Sequence, residues 1–225
     1  MILFFDTSTP NGILALGQQD RCITFSHWKA EHSHSQLLPP YIDTALQELP
    51  NGISELTHIT VGIGPGSFTG LRVALATAKG LAIARNIPLV AIPSPTVFAT
   101  LCQATTDYAA CCLDAFRGEI YLGIYKMQSG IPVLQNDIAS LTPKVAAMQI
   151  AALNGSITVT GTGYDRYRDQ FPSSVIPGNT HYDKAAAVSI LKFATQSIQN
   201  NKTHQPAELH PYYVRDAEAV EKQKR

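Results

Sequence analysis

A glycine-rich segment, GIGPGSFTGLRVALATAKGLA, follows an apolar strand-like stretch and runs from Gly62 to Ala82. Proteins place glycines between a strand and a helix when a loop has to cradle phosphate. The spacing here fits neither nucleotide motif. A P-loop needs lysine and a hydroxyl residue directly after its last glycine, whereas Lys79 lies about two helical turns beyond the loop. The dinucleotide fingerprint needs glycine where Thr69 stands. The segment therefore predicts a tight turn into a capped helix, which keeps only the general affinity of helix starts for anions.

Two aspartates are the candidates for nucleotide chemistry. Asp6 ends the first strand-like run, and Asp114 holds the parallel place in the second half of the chain. Together they would flank a cleft, which keeps open an ATP-dependent enzyme of the kinase or transferase type. The residues after Asp6, TSTP, lack the glycines that let backbone approach a phosphate, so hydrogen bonding within its own turn also explains this carboxylate.

Three histidines lie close together in SHWKAEHSHSQ, at His27, His32 and His34. A helical metal pair needs four-residue spacing, and no two of these histidines have it. We therefore predict no metal site, although a metallopeptidase using His32 and His34 stays open as an alternative. His34 is expected to cap a helix or lie at its surface. Ser67 has no G-x-S-x-G frame, and no catalytic residue is predicted.

Composition restricts the classes of protein. Apolar residues make up 45% of the chain and charged residues 15%, as expected for a folded domain. Seventeen basic residues balance seventeen acidic ones, which disfavours a surface that grips nucleic-acid backbones. The four cysteines lack metal or redox spacing and predict free thiols in a cytoplasmic protein. No apolar run is long enough for a membrane span.

The apolar pattern predicts an α/β fold with two related halves. The first half has three strands, then helix, strand, helix, strand and helix, and a weaker copy follows. A hairpin is predicted to turn at Asn11-Gly12. The lobes are expected at residues 1–103 and 104–225, with mixed sheets, and the C-terminal helix and tail are candidates to return to the first lobe. The predicted long helices are Ser35–Leu49, Phe68–Arg85 and Tyr182–Gln199.

Small residues repeat every four positions along the helix that follows the glycine loop, at Gly70, Ala74, Ala78 and Ala82. Such a stripe lets a second helix approach closely. The pattern alone leaves two interpretations open, because the stripe can meet another protein or pack inside its own lobe.

Five segments, ILFFDTS, HSQLLPPYI, VGIGPGSFTGLRVALATAKGLA, LDAFRGEIY and PYYVR, resemble the TsaB (YeaZ) family in order and spacing. The resemblance implies an actin-like (ASKHA) fold of two ribonuclease-H-like lobes. It also implies a non-catalytic subunit, without a cofactor, of the complex that makes threonylcarbamoyl-adenosine beside the anticodon of tRNAs reading codons that begin with A. It gives no role to Arg117, Glu119 or Arg215.

The same resemblance implies a partner and a contact surface. The partner is a TsaD-like catalytic paralogue, a TsaE-like ATPase joins through the complex, tRNA enters as the substrate, and a homodimer through the same surface is expected when the chain is alone. Ala74→Arg is expected to weaken partner binding and leave the fold intact. The matching positions are Leu38, Tyr41, Ile42, Ala45, Gly70, Val73, Ala74, Thr77 and Ala78.

Overall fold

The structure is a computed structural model that describes residues 1–30, 33–102, 104–178 and 183–214. Its first sheet has the strand order β3-β2-β1-β4-β5. Strands β1, β2 and β3 are antiparallel neighbours, whereas β1, β4 and β5 run parallel, so the sheet is mixed. The strands are β1 (Ile2–Asp6), β2 (Asn11–Gln18), β3 (Arg21–Lys29), β4 (His58–Gly62) and β5 (Leu89–Ile92).

The second sheet has the order β11-β10-β6-β7-β8, and β9 pairs with β7. It is also mixed, because β6 is parallel to β10 and antiparallel to β7. Its strands are β6 (Tyr108–Asp114), β7 (Ile120–Gln128), β8 (Ile131–Leu134), β9 (Ala139–Leu141), β10 (Ile157–Thr160) and β11 (Ile176–Pro177). The two mixed sheets confirm the predicted α/β class.

Six α-helices lie in the described part of the chain. They are α1 (His34–Gln47), α2 (Phe68–Arg85), α3 (Ser94–Leu101), α4 (Pro143–Ala151), α5 (Thr162–Arg166) and α6 (Lys184–Gln199). The start predicted for the last helix, Tyr182, falls outside the described residues. Within the described ranges, no helix combines the length and apolarity required to cross a bilayer.

The first sheet is buried on both faces, which explains why β1 reads ILFF without alternation. Leu3 and Phe5 face α1 and α2, and Phe4 faces the opposite core, to which α3, α6 and β6 contribute. Helix α6 contacts β2, β3 and α3, so this C-terminal helix packs on the first sheet. The lobe boundary at residue 103 stays a prediction, and Gln103 itself lies outside the described residues.

The chain beyond α6 follows the first sheet. His204 exchanges two backbone hydrogen bonds with Leu89, of 2.8 and 3.0 Å, and the Tyr212 N–H donates to the Ile63 carbonyl at 2.8 Å. The tail therefore reaches the glycine-rich loop. Arg215, for which the sequence offered no role, lies outside the described residues.

The predicted turn at Asn11-Gly12 is wrong in position. Both residues belong to β2, and residues 7–10 connect β1 to β2. A Cβ atom on Gly12 would overlap the indole ring of Trp28 on β3. Glycine is needed at position 12 because the indole of Trp28 packs against the backbone of β2 there. An Asn-Gly pair that serves this purpose has the same sequence as one that forms a turn, so the sequence alone does not separate the two cases.

Candidate functional site

A cleft of about 220 Å³ lies where the loops of the two sheets meet. Its walls come from the segment after β1, the starts of α1 and α2, the end of β6 with its following turn, and the start of α5. The lining side chains that matter for its chemistry are Ser8, His34, Ser67, Asp114, Phe116 and Thr162.

The glycine-rich loop packs against the segment that follows β1. The Ser67 N–H donates to the Ser8 carbonyl at 2.7 Å, and the Thr7 hydroxyl donates to the Gly70 carbonyl at 2.8 Å. A Cβ on Gly66 would overlap Ser8, and one on Gly70 would overlap the Thr7 carbonyl. These glycines are therefore explained by close approach of the chain's own backbone.

Asp6 lies beneath the cleft, not on its surface. The residue is 1% exposed, and its Oδ1 accepts a 2.6 Å hydrogen bond from the Ser8 N–H. Oδ2 has no hydrogen-bond partner among the described residues and lies against Gly62. Burial raises the pKa of Asp6, and hydrogen bonding from Ser8 opposes this change. This carboxylate is not presented to a ligand in the cleft.

Asp114 does line the cleft, as its sequence position predicts, but both of its oxygens are engaged. Oδ1 accepts from the Phe116 N–H at 3.0 Å, and Oδ2 forms a 2.7 Å ion pair with Arg166. A metal ion would have to compete with these partners for the carboxylate. The structure thus brings one of the two aspartates to the cleft and holds it in a local network.

His34 has a role that the sequence did not reveal. It is the first residue of α1 and 8% exposed, and the cap is supplied by Ser33, whose side chain accepts from the Ser35 N–H at 3.2 Å. The indole N–H of Trp28 donates to His34 Nδ1 at 3.3 Å, and His34 Nε2 lies 2.8 Å from the Thr9 carbonyl. The expectation of a capping or surface role is therefore wrong.

Both ring nitrogens of His34 are used within the lobe, which leaves neither for a metal. The described residues contain no cluster of three histidine, cysteine or carboxylate side chains able to hold an ion. His32, the other histidine of the metallopeptidase alternative, lies outside the described residues.

The stripe of small residues packs inside its own lobe. Ala74 and Ala78 have no exposed surface and join the core formed with α1 and the first sheet. The remaining buried members of the predicted contact surface are Leu38, Ile42, Ala45 and Gly70. The resemblance left the rotation of the two helices open, and the structure turns these six positions toward the interior of their own lobe. Their contact with a partner stays a prediction.

Tyr41, Val73 and Thr77 are half-exposed and remain candidates for a contact surface. Tyr41 lies on α1, and the other two lie on α2. We call one set of α2 residues the outer face: exposed Ala76, Gly80 and Ile83, with half-exposed Val73 and Thr77. Ile83 is 69% exposed. The partner contact expected for Tyr41, Val73 and Thr77 stays a prediction.

Two mixed sheets with a cleft between their loops define an actin-like, two-lobed protein. The fold agrees with that of the ethanolamine utilization protein EutJ from Carboxydothermus hydrogenoformans, with a TM-score of 0.52 at 13% identity over 85% of this chain and 89% of that one. The family model TsaD, tRNA N6-adenosine threonylcarbamoyltransferase, matches residues 28–221. The chain belongs to this family and, within it, to the TsaB (YeaZ) group.

Three relatives illustrate the similarity. YeaZ from Pseudomonas aeruginosa has a TM-score of 0.82 at 26% identity, over 94% of this chain and 98% of its own. The tRNA threonylcarbamoyladenosine biosynthesis protein TsaB of Escherichia coli is 27% identical over 98% of this chain and 97% of its own length. The TsaB of Bacillus subtilis is 31% identical over 58% of this chain and 57% of its own length.

Proposed function

We propose that this chain is the non-catalytic TsaB-type subunit of the complex that makes threonylcarbamoyl-adenosine in tRNA. It acts by binding and activating a TsaD-like catalytic paralogue, and a TsaE-like ATPase joins through the complex. Similarity to TsaB proteins over nearly the whole chain supports this role. Its effect is a coupling free energy between subunits.

The chemistry of the cleft supports a subunit without catalysis. Asp6 is buried, Asp114 is paired with Arg166, and His34 spends both nitrogens on neighbours. An ATP-dependent enzyme of the kinase type would need at least one of these carboxylates free to bind a metal ion. The groups that could do chemistry instead maintain the local fold.

The outer face of α2, together with half-exposed Tyr41 of α1, supplies the contact surface, and Gly80 is the observation that carries this choice. Glycine inside a helix costs about 1 kcal/mol relative to alanine. A Cβ on Gly80 would meet no atom of the described residues within 4 Å, so packing within the chain does not require glycine there. Close approach by a helix of another protein would require it. The same face would form a homodimer when the paralogue is absent.

Light scattering of the chain with its cognate TsaD-like paralogue tests the proposal. The parent protein should give a species of summed mass. Ala76→Arg places a long charged side chain on the outer face and should weaken the complex at least about tenfold, which is about 1.4 kcal/mol. Ala151→Arg makes the same substitution at an exposed position of α4 and should leave binding unchanged.

Each contrary result has a separate meaning. If Ala76→Arg binds as tightly as the parent, the contact surface is misplaced, whereas the subunit role survives. If the parent protein forms no complex, the role itself is wrong.

A further inference from the structure

The chain has one tryptophan, and its side chain contacts both the cleft-lining His34 and the half-exposed Tyr41 of α1. Trp28 donates its indole N–H to Nδ1 of His34 at 3.3 Å. Its ring stacks on Tyr41 of α1, with centroids 4.4 Å apart and planes inclined by 16°. Gly12 leaves the space that the indole fills. A continuous contact therefore runs from the cleft-lining imidazole through Trp28 to Tyr41.

This arrangement requires one protonation state of His34. An indole N–H can only donate, so Nδ1 must be an unprotonated acceptor. Nε2 lies 2.8 Å from a carbonyl oxygen and must therefore carry the proton. An imidazolium would direct a second N–H at the indole N–H. Protonation therefore replaces the hydrogen bond with two opposed donors.

We propose that His34 is a proton-sensitive latch, and that its protonation releases the Trp28 indole and thereby loosens Tyr41 and the adjoining surface of α1. This inference rests on the proposed function where it concerns partner binding, because Tyr41 is one of the half-exposed contact candidates. His34 lines the cleft, so protons reach it without unfolding of the lobe.

The charged groups around the imidazole are few, and the nearest carboxylate favours the protonated ring. Asp6, beneath the cleft, attracts an imidazolium. Asp114 lines the same cleft, and its charge is offset by Arg166. On β3, His27 and Lys29 flank Trp28 in sequence and point to the opposite side of the strand. On α1, the phenol of Tyr41 is the titratable group on the far face of the indole. The Trp28 hydrogen bond is the contact that specifically demands the neutral ring.

The latch is measurable in the free protein, because the lone tryptophan gives one indole N–H resonance in an ¹⁵N-labelled sample. That resonance and the Trp28 fluorescence should change together, with a single proton step, as the pH falls from about 8 to about 5. Asparagine offers Oδ1 to the indole and cannot titrate, so His34→Asn should abolish the step. His27→Asn, at the neighbouring position on the opposite side of β3, should retain it.

An indole resonance of the unmodified protein that stays fixed over this pH range would overturn the latch, whatever the variants do. A step that persists unchanged in folded His34→Asn would also overturn it. The parent measurement keeps the test decisive even if His34→Asn fails to fold.

Binding of the TsaD-like paralogue, measured across the same pH range, tests the coupling. A partner that requires the neutral ring should lose affinity by up to about tenfold per pH unit below the midpoint of the measured indole step, and His34→Asn should lack this component. Equal pH dependence in both proteins overturns the coupling. No complex at any pH overturns the proposed function instead, because the indole resonance decides the latch without a partner.

Discussion

The inner and outer sides of α2 are both rich in small residues, yet only the inner side is explained by this chain. On the inner side, Gly70 touches the Thr7 carbonyl, and Ala74 and Ala78 join the core without exposed surface. On the outer side, Gly80 has open space around it, and Ile83 is exposed. Small residues therefore serve close packing within the lobe on one side and leave the other side available.

The difference has a consequence for substitutions. On the inner side, extra volume or charge acts on folding, because there is no room and no water. On the outer side, the same change acts on what binds there. The stability of the free chain and its affinity for a partner should therefore separate along one helix.

The largest effect is expected for Ala74→Arg. The substitution buries a guanidinium in a core without a partner, and we expect it to destabilise the fold by about 4 kcal/mol or more. This corrects the expectation, drawn from the family resemblance, that the variant folds normally and fails only in binding. Urea unfolding measures the difference, with Ala76→Arg as the matched control. That variant makes the same substitution two residues along, on the outer side, and should stay within about 0.5 kcal/mol of the parent. Comparable losses in both variants would remove the distinction between the two sides.

The length of α2 could be read from the sequence, but its rotation could not. The capping Ser67 and the terminal Arg85 agree with the predicted limits Phe68–Arg85. A helix with apolar or small residues on most of its circumference carries no strong amphipathic signal, so the pattern does not show which side faces the sheet. The inner side is set by contact with Thr7, which lies 63 positions away in sequence from Gly70. Local patterns do not contain that contact.

The cleft shows the same limit. The positions of Asp6 and Asp114 at strand ends predicted that carboxylates would meet near a cleft, and Asp114 does line it. What the sequence could not give is how these groups are occupied, because Arg166 and Asp114 are 52 residues apart. The interaction of His34 with Trp28 spans six residues, yet it depends on β3 and α1 packing together. A histidine near a tryptophan in the sequence was the available signal.

An intermediate effect is expected for Asp6→Asn. Asp6 directly precedes Thr7 and Ser8, which contact the start of α2. Burial raises the pKa of Asp6 in the folded chain above the usual 3.8, so the folded state holds a proton more tightly than the unfolded state. The contribution of Asp6 to the free energy of unfolding is therefore fully present below its pKa in the unfolded chain. It is lost as the pH rises through its pKa in the folded chain. The loss is about 1.4 kcal/mol for each pH unit that separates the two pKa values. Asparagine keeps an acceptor for the Ser8 N–H and removes the charge.

Urea unfolding of the parent and Asp6→Asn at about pH 4.5 and about pH 7.5 checks this sign. The variant should gain stability relative to the parent as the pH rises. The same difference in unfolding free energy at both pH values would mean that folding does not raise the pKa of Asp6.

The smallest and most discriminating effect is expected for Gly80→Ala. Alanine fits the helix and meets open space, so the free chain should gain about 0.5–1 kcal/mol in urea unfolding. If a partner helix approaches the outer face closely, the added methyl group should weaken binding of the TsaD-like paralogue even as the fold becomes more stable. Gln149→Ala on α4 controls for a general effect of alanine on a helix surface and should leave binding unchanged. Higher stability with unchanged affinity would show that a methyl group at position 80 does not obstruct the partner, and that the glycine there has no function in assembly.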